Sequence, residues 1–243
     1  MTYCLGILLN DGLVLASDSR SNAGIDQVQE VSKLAVIAQP GERVITIQSA
    51  GNLATTQWVV TKPRQAAGSG EAGKDVFAAA TLFDVADMVG SRLREAILMD
   101  KQCDDPGIDF SASFLVAGQI KGESHRLFEV YSAGNFVEAS PRAQFLQIGE
   151  TKYGKPILDR ALVPQSSLDH AAKVALLSFD ASIRSNLSVG LPIDMLRYRT
   201  SAFQAQVETL EAGNPYWRAL REGYSQGLQT LVDSLPAPPA VLG

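Results

Sequence analysis

Thr2-Tyr3-Cys4-Leu5-Gly6-Ile7-Leu8-Leu9-Asn10-Asp11-Gly12-Leu13-Val14-Leu15-Ala16-Ser17-Asp18 stands at the head of the chain, directly behind Met1. Two apolar, β-rich runs meet at an Asx-Gly turn, which predicts a β-hairpin. The loop length decides a chemical point, because side chains along a strand alternate faces with period two. A two-residue loop, Asp11-Gly12, sets Asp18 opposite Leu5, on the face away from Thr2. A three-residue loop with Gly12 left-handed sets Asp18 opposite Cys4, on the face of Thr2, with Arg20 opposite Thr2. The second register is preferred because it gathers the polar groups at the open end of the hairpin. Asp18 in so apolar a run needs a partner, since an unpaired buried carboxylate is costly.

Thr2 is the residue around which chemistry is expected. Removal of Met1 in front of so small a residue would leave a threonine carrying both a hydroxyl and a free α-amino group. A hydroxyl is a weak nucleophile and needs a base, which an N-terminal amine titrating near ~8 supplies. Many chains begin Met-Thr without such a role, so the rest of the pattern must carry the reading. Lys33, ahead of a short strand from Leu34 to Ala38, is the nominated partner of Asp18. An aspartate keeps a neighbouring lysine charged and a terminal amine pushes it to lose its proton, so such a lysine could lower the pKa of the Thr2 hydroxyl or relay its proton. A solvated loop lysine is the ordinary alternative. A third strand, Val44-Ile45-Thr46-Ile47-Gln48, runs into Ser49-Ala50-Gly51-Asn52-Leu53, a small-residue turn leading to a helix. Gly51 lets a substrate approach the backbone, and its N–H could stabilise an oxyanion; an ordinary strand-to-helix turn would look the same.

Taken in order, Thr2, Gly6, the Asp11-Gly12 turn, Ala16-Ser17-Asp18-Ser19-Arg20, Ala23-Gly24, Lys33 and Ser49-Ala50-Gly51 resemble a proteasome β-type subunit. The chain is most similar to the bacterial ancestral β-subunit (Anbu) branch of that family, through to about residue 200. The resemblance implies an α+β fold, a four-layer α/β/β/α sandwich of the N-terminal nucleophile hydrolase type. It also implies Thr2 as nucleophile and base, Asp18 and Lys33 as its charge pair and Gly51 as oxyanion donor. Ser17 and Arg20 would support Asp18, and Ser21, Asn22, Ser49 and Leu53 would line the substrate cleft. Two positions depart from the family pattern. Glu150, with Thr151 after it, follows the strand-to-helix glycine where a serine is usual. The later Asp-x-x-Ser-Gly motif reads Ser185-Asn186-Leu187-Ser188, so Ser188 matches and Ser185 replaces the aspartate. Thr151 is a candidate substitute for the missing serine, whereas Glu150 could only accept a hydrogen bond when ionised.

The 243 residues fit one domain with an added C-terminal element: residues 1–205 as the hydrolase domain and 206–243 as a helical extension packing on it or on a neighbouring subunit. A net charge of −5 without a basic cluster argues against nucleic acid and anionic membranes as partners. Cys4 and Cys103 make no metal spacing and no disulfide framework. No leader-like segment and no apolar stretch of membrane-spanning length stands out, so the cytoplasm is expected. With only His125 and His170, both expected at the surface, a histidine triad or metal site has little material, and no metal or organic cofactor is implied.

Gly68-Ser69-Gly70-Glu71-Ala72-Gly73-Lys74 imitates a phosphate-binding loop, but Asp75 replaces the hydroxyl residue that would ligate Mg²⁺ and no strand precedes it, so nucleotide binding is rejected. Asp75 is read instead as the cap of a long amphipathic helix reaching Met99. Strands are expected near Ala112–Gly118, Leu127–Ser132 and Phe145–Ile148. A helix should run from Gly149-Glu150-Thr151 to Leu162, and another, capped by the box Ser166-Ser167-Leu168-Asp169, to Arg184. Asn214 caps a last helix with Pro215 in its first turn and Pro236 as its stop. Its apolar stripe of Tyr216, Trp217, Leu220, Tyr224, Leu228, Leu231 and Leu235 suits either its own subunit or an assembly contact.

The expected function is hydrolysis of peptide bonds through Thr2, with peptide or unfolded protein as substrate and self-association into a ring or open helical assembly. The alternatives are an N-terminal nucleophile amidase acting on a small amide, and a self-assembling scaffold with a vestigial site.

Overall fold

The computed structural model describes residues 2–22, 28–71, 73–100 and 109–239. The opening hairpin is β1 (Tyr3–Leu9) and β2 (Gly12–Asp18), followed by a small hairpin of β3 (Arg20–Asn22) and β4 (Val28–Glu30). Next come β5 (Leu34–Gln39), β6 (Arg43–Gly51), α1 (Leu53–Ala66) and α2 (Leu82–Asp100). The second half contains β7 (Ala112–Ile120), β8 (Arg126–Val130), β9 (Phe136–Glu138), β10 (Phe145–Gly149), α3 (Lys155–Ala161), α4 (Leu168–Ser185), β11 (Ile193–Arg199), β12 (Val207–Leu210) and α5 (Pro215–Ser234).

The strands form two antiparallel five-stranded sheets, β10-β1-β2-β11-β12 and β5-β6-β7-β8-β9. Each face is covered, and β1 shows why its sequence is apolar almost without a break. Tyr3, Leu5, Ile7 and Leu9 point to the layer of α3 and α4, where they meet Leu158, Ala175 and Phe179. Cys4 points the other way, into the seam between the sheets with Leu15, Val44, Leu115 and Leu127. At Gly6 a Cβ would come within 2.7 Å of the Leu127 side chain, so this glycine makes room for the second sheet. α1 and α2 cover the outer face of that sheet through Val59, Val85, Val89 and Leu93. The order is helices, sheet, sheet, helices: the α/β/β/α sandwich.

The hairpin adopts neither expected register. Leu9 pairs with Gly12 and Cys4 with Ser17, so the loop is Asn10-Asp11 and Gly12 is the first residue of β2. A Cβ at Gly12 would lie 1.9 Å from the Tyr198 carbonyl oxygen, at a φ of +149°. The glycine is therefore required by the close approach of β11, not by the turn. This register sets Ser17 opposite Cys4 and Asp18 one step beyond, level with Tyr3.

Helix starts also differ from expectation. Asp75 caps no helix; its carboxylate turns back and accepts the N–H groups of Gly68, Gly70 and Phe77 at 2.8–2.9 Å. Burial opposes its ionisation, but those amides and Arg43 together hold it below the usual carboxylate range. The loop that imitates a phosphate cradle is thus filled by a carboxylate of its own chain. α2 instead starts behind a reciprocal capping pair, Thr81 and Asp84, in which each side chain accepts the other's backbone N–H. The cap of α4 is Ser167, which accepts from His170 N–H, while Ser166 accepts from Val163 N–H. α3 begins only at Lys155, leaving Glu150 and Thr151 in the loop before it.

β12 falls inside the residues assigned to the extension and extends the first sheet as its edge strand, paired with β11. α5 begins as expected, with the Asn214 side chain accepting from Tyr216 and Trp217 N–H groups. Trp217 is buried against the sandwich, and Arg221 donates to the buried Asp180 of α4 at 2.6 Å. Ser225 still accepts from Arg184 of α4 at 3.2 Å; beyond it the helix is exposed, with Leu231 54% and Val232 64% accessible. His125 is half-buried and not a surface residue: its ring bonds the Leu9 carbonyl at 2.7 Å and the Thr200 hydroxyl at 2.9 Å, bracing the hairpin turn. His170 is exposed, as expected. Ala23, Gly24 and Cys103 lie outside the described residues. Among the described residues no helix is long and apolar enough to cross a membrane, and no cluster of His, Cys, Asp and Glu could hold a metal ion.

Candidate active site

Thr2 stands just ahead of β1, half-buried, and its neighbours fix its backbone. Glu150 N–H donates to the Thr2 carbonyl oxygen at 2.7 Å. At Gly149, with a φ of +82°, a Cβ would stand 2.0 Å from that same oxygen. On the other side Tyr3 is anchored deep in the core, its hydroxyl 2.6 Å from Ser178 Oγ, accepting from Gln147 at 2.7 Å, and its ring against Phe179.

Asp18 is fully buried as the last residue of β2, and its position follows from where the pairing with β1 stops. The β1–β2 ladder ends at Cys4 and Ser17, while the backbone of Asp18 pairs across to Ile193 of β11. The next N–H on β1, that of Tyr3, is taken by the Asp18 carboxylate at 2.9 Å. The same oxygen, Oδ1, accepts from Lys33 Nζ at 2.8 Å, and Lys33 also donates to the Arg20 carbonyl. Asp18 is thus bound to the backbone immediately after Thr2 and to Lys33, although face alternation alone would have pointed it elsewhere. Burial lifts Asp18 above the usual carboxylate range; Lys33 and the amides of Tyr3 and Gly190 pull it down without cancelling that effect. Its other oxygen has no hydrogen-bond partner among the described residues.

Thr2, Lys33, Ser49, Gly51 and Leu53 line one cleft of about 240 Å³, with Val31, Ala35 and one face of α1 completing its wall. Gly51 ends β6 at a φ of +120°, and a Cβ there would lie 2.4 Å from the Ser111 carbonyl. Only glycine keeps the turn from β6 into α1 this close to β7. Cys4 lies nearby but does not compete as a nucleophile: burial, reinforced by Asp18, pushes its thiol well up, and its Sγ–H faces the Ser49 carbonyl.

The supporting residues sort less neatly. Ser17 points into the seam between the sheets and its buried hydroxyl has no partner among the described residues, so it does not hold Asp18. Arg20 serves Lys33 through its carbonyl, while its guanidinium donates to the Leu187 carbonyl at 3.1 Å. Ser188 is half-buried and its N–H donates to Asn186 Oδ1. Thr151 and Ser185 are exposed, and neither lines the cleft. Ser21 and Asn22 belong to β3, and their side chains lie outside the described residues.

Two clusters escaped the sequence reading. Glu150 is buried; its carboxylate accepts from Lys152 N–H at 2.9 Å and from Asn186 Nδ2 at 2.8 Å, joining the Thr2 strap to the end of α4. Asp194, buried on β11, accepts from the hydroxyls of Ser19, Ser32 and Thr209 at 2.8–3.0 Å. It thereby ties the residues following Asp18 and preceding Lys33 to one strand. The oddity of Glu150 was legible; Asp194 gave no local signal.

A four-layer sandwich with a threonine at the open end of its first strand, backed by a buried Asp–Lys pair, defines the proteasome-like N-terminal nucleophile hydrolase fold. Solved structures narrow this. The chain is 42% identical to Anbu (ancestral β-subunit) from Yersinia bercovieri, with a TM-score of 0.91 over 99% of this chain and all of that one. It is 41% identical to the chain in a helical assembly of the Anbu complex from Pseudomonas aeruginosa, with a TM-score of 0.94 and the same coverage. It is 40% identical to Anbu from Hyphomicrobium sp. strain MC1, with a TM-score of 0.89 over 98% of this chain and all of that one. The chain belongs to the Anbu, or ancestral β-subunit, family. No family model and no curated protein matches it.

Proposed function

We propose that this chain is a proteasome-like threonine peptidase whose nucleophile is Thr2, freed by removal of Met1. The observation that carries this reading is the cleft itself: Thr2, Lys33 and Gly51 share its wall, with Asp18 behind them bonded to both Lys33 and the backbone next to Thr2. The Thr2 hydroxyl attacks a peptide carbonyl carbon and its proton passes to the α-amine. The positive charge of Lys33 favours the developing alkoxide. The oxyanion of the tetrahedral intermediate points at the Gly51 N–H. The departing amine takes the proton, leaving an ester on Thr2 that water hydrolyses. Ser49 and Leu53 form the substrate wall, with Ser21 and Asn22 on the neighbouring β3. Ser188 and Glu150 are assigned the positioning of the threonine; the exposed Thr151 and Ser185 are given no part. A wall built along a helix face suits an extended peptide better than a small amide. Cytoplasmic residence goes with this reading and with the free Cys4 thiol.

Gly149 offers a direct test of positioning. Gly149→Ala forces the Thr2 carbonyl to move, and a displacement of about 1 Å at a nucleophile costs on the order of 100-fold in turnover. Peptide hydrolysis by this variant at the wild-type rate, with its assembly intact, would show that the strap does not set the site.

Self-association belongs to the same proposal. α2 packs Leu82, Val85, Val89 and Leu93 on its own sheet and leaves Phe83, Leu98 and Met99 exposed as a smaller surface. The outer half of α5, with Leu228, Leu231, Val232 and Leu235 exposed, is the surface offered to other copies. Light scattering at micromolar concentration is expected to give a mass many times 26.0 kDa, falling sharply in Leu231→Glu/Val232→Glu. A wild-type mass near one chain refutes the assembly.

A further inference from the structure

We infer that the cleft selects a peptide carrying an acidic side chain on the acyl side of the scissile bond, and that Arg64 is the residue that selects it. This rests on the peptidase reading and names its substrate class. Leu53, Thr56, Gln57, Val60, Thr61 and Arg64 line the cleft from α1; their spacing of three and four residues is one face of a helix. Arg64 lies three turns beyond Leu53, about 16 Å along the axis at 1.5 Å per residue. Helix side chains lean toward the N-terminus, so its guanidinium reaches back along the groove toward Thr2.

The charges of the wall are one-sided. None of the described residues lining the cleft is a carboxylate. Of its two cations, Lys33 is already bound to Asp18 and to the Arg20 carbonyl. Arg64 makes no hydrogen bond or ion pair with any described residue, so its planar fork is open to a carboxylate in two-point geometry. Val31, Ala35 and Val60 give the same wall apolar surface, and Ser32 and Ser49 line it too. A side chain with a methylene stem and an anionic tip, such as glutamate, matches that combination of apolar wall and unpaired guanidinium. The first turn of α1 holds no acidic residue, so its N-terminal dipole adds to the positive field.

The test separates binding from turnover. Fluorescein-labelled tetrapeptide amides ending in Glu, Gln or Lys are titrated by anisotropy onto the assembled Thr2→Ala protein. The Glu peptide is expected to bind about 10-fold more tightly than its Gln isostere, an advantage of ~1.4 kcal/mol. Arg64→Ala should erase that advantage and Arg64→Glu should shift preference to Lys. Equal affinity for Glu and Gln, or a Glu preference that survives Arg64→Ala, overturns the inference. Turnover of the same peptides by the wild-type protein tests the peptidase reading separately. Arg64-dependent selection without turnover would sink that reading and leave a glutamyl-binding cleft.

Discussion

Thr2→Ala is expected to abolish peptide hydrolysis, by at least ~1000-fold, while leaving the fold and the assembly unchanged. Removing a nucleophile deletes the covalent route outright and leaves only what binding and the oxyanion donor contribute. The fold should not register the change. Thr2 is half-buried, and its fixed contact, from Glu150 N–H, is made by its carbonyl oxygen and not its side chain. Alanine is also small enough for Met1 to be removed, so the free amine is retained and only the hydroxyl is lost. Thr2→Ser is the companion variant: it keeps the hydroxyl and should keep most of the turnover. A threonine-directed electrophile followed by intact mass gives the reading without a known substrate. One adduct per chain is expected in the wild type and none in Thr2→Ala. Undiminished turnover in Thr2→Ala would end the mechanism, and an unlabelled, inactive wild type would favour the scaffold.

Much of this site was legible because its residues are local in sequence and their order is unusual. The hairpin, the apolar strand ending at Gly51 with the helix after it, and the start of α5 at Asn214 follow from period, turn and cap signals. The hairpin register did not follow, since both expected registers put Gly12 in the loop. The choice is made by the Tyr198 carbonyl, which needs the missing Cβ of Gly12, a contact made across most of the chain. Asp18 shows the limit of face counting: β2 stays paired with β11 through Asp18, but its pairing with β1 ends at Ser17, and there the Asp18 side chain, not its backbone, takes the next N–H of β1. Asp75 carried a helix-cap signal and spent it on the glycine loop beside it, where the amides were nearer than any helix. Asp194 gathers hydroxyls from positions up to 175 residues away; no spacing rule reaches that far. Arg64 needed the cleft to be seen first, because its helical stripe is not apolar and has a low contrast with the opposite face.

Lys33→Met is the second large effect, and it reads out on both activity and stability. Methionine keeps the packing of the stem and removes the charge. Turnover is expected to fall by at least ~100-fold, the scale of a group acting on proton transfer. Stability at neutral pH should fall by about 3–5 kcal/mol, because Asp18 is left buried with its charge uncompensated. The pH dependence distinguishes this from ordinary loss of packing. Asp18 already titrates above the usual range, burial being the main cause, and Lys33 is the strongest influence holding it down. Without Lys33 its folded value rises further, while the unfolded value stays near ~3.9. Between those two values the folded state holds the extra proton, so stability falls as pH rises. The variant should therefore approach wild-type stability in mild acid and lose ground steadily toward pH 8. Denaturant unfolding at the two ends of that range measures the slope. A stability gap that does not change with pH, together with near wild-type turnover, would leave Lys33 with no part in catalysis or in the ionisation of Asp18.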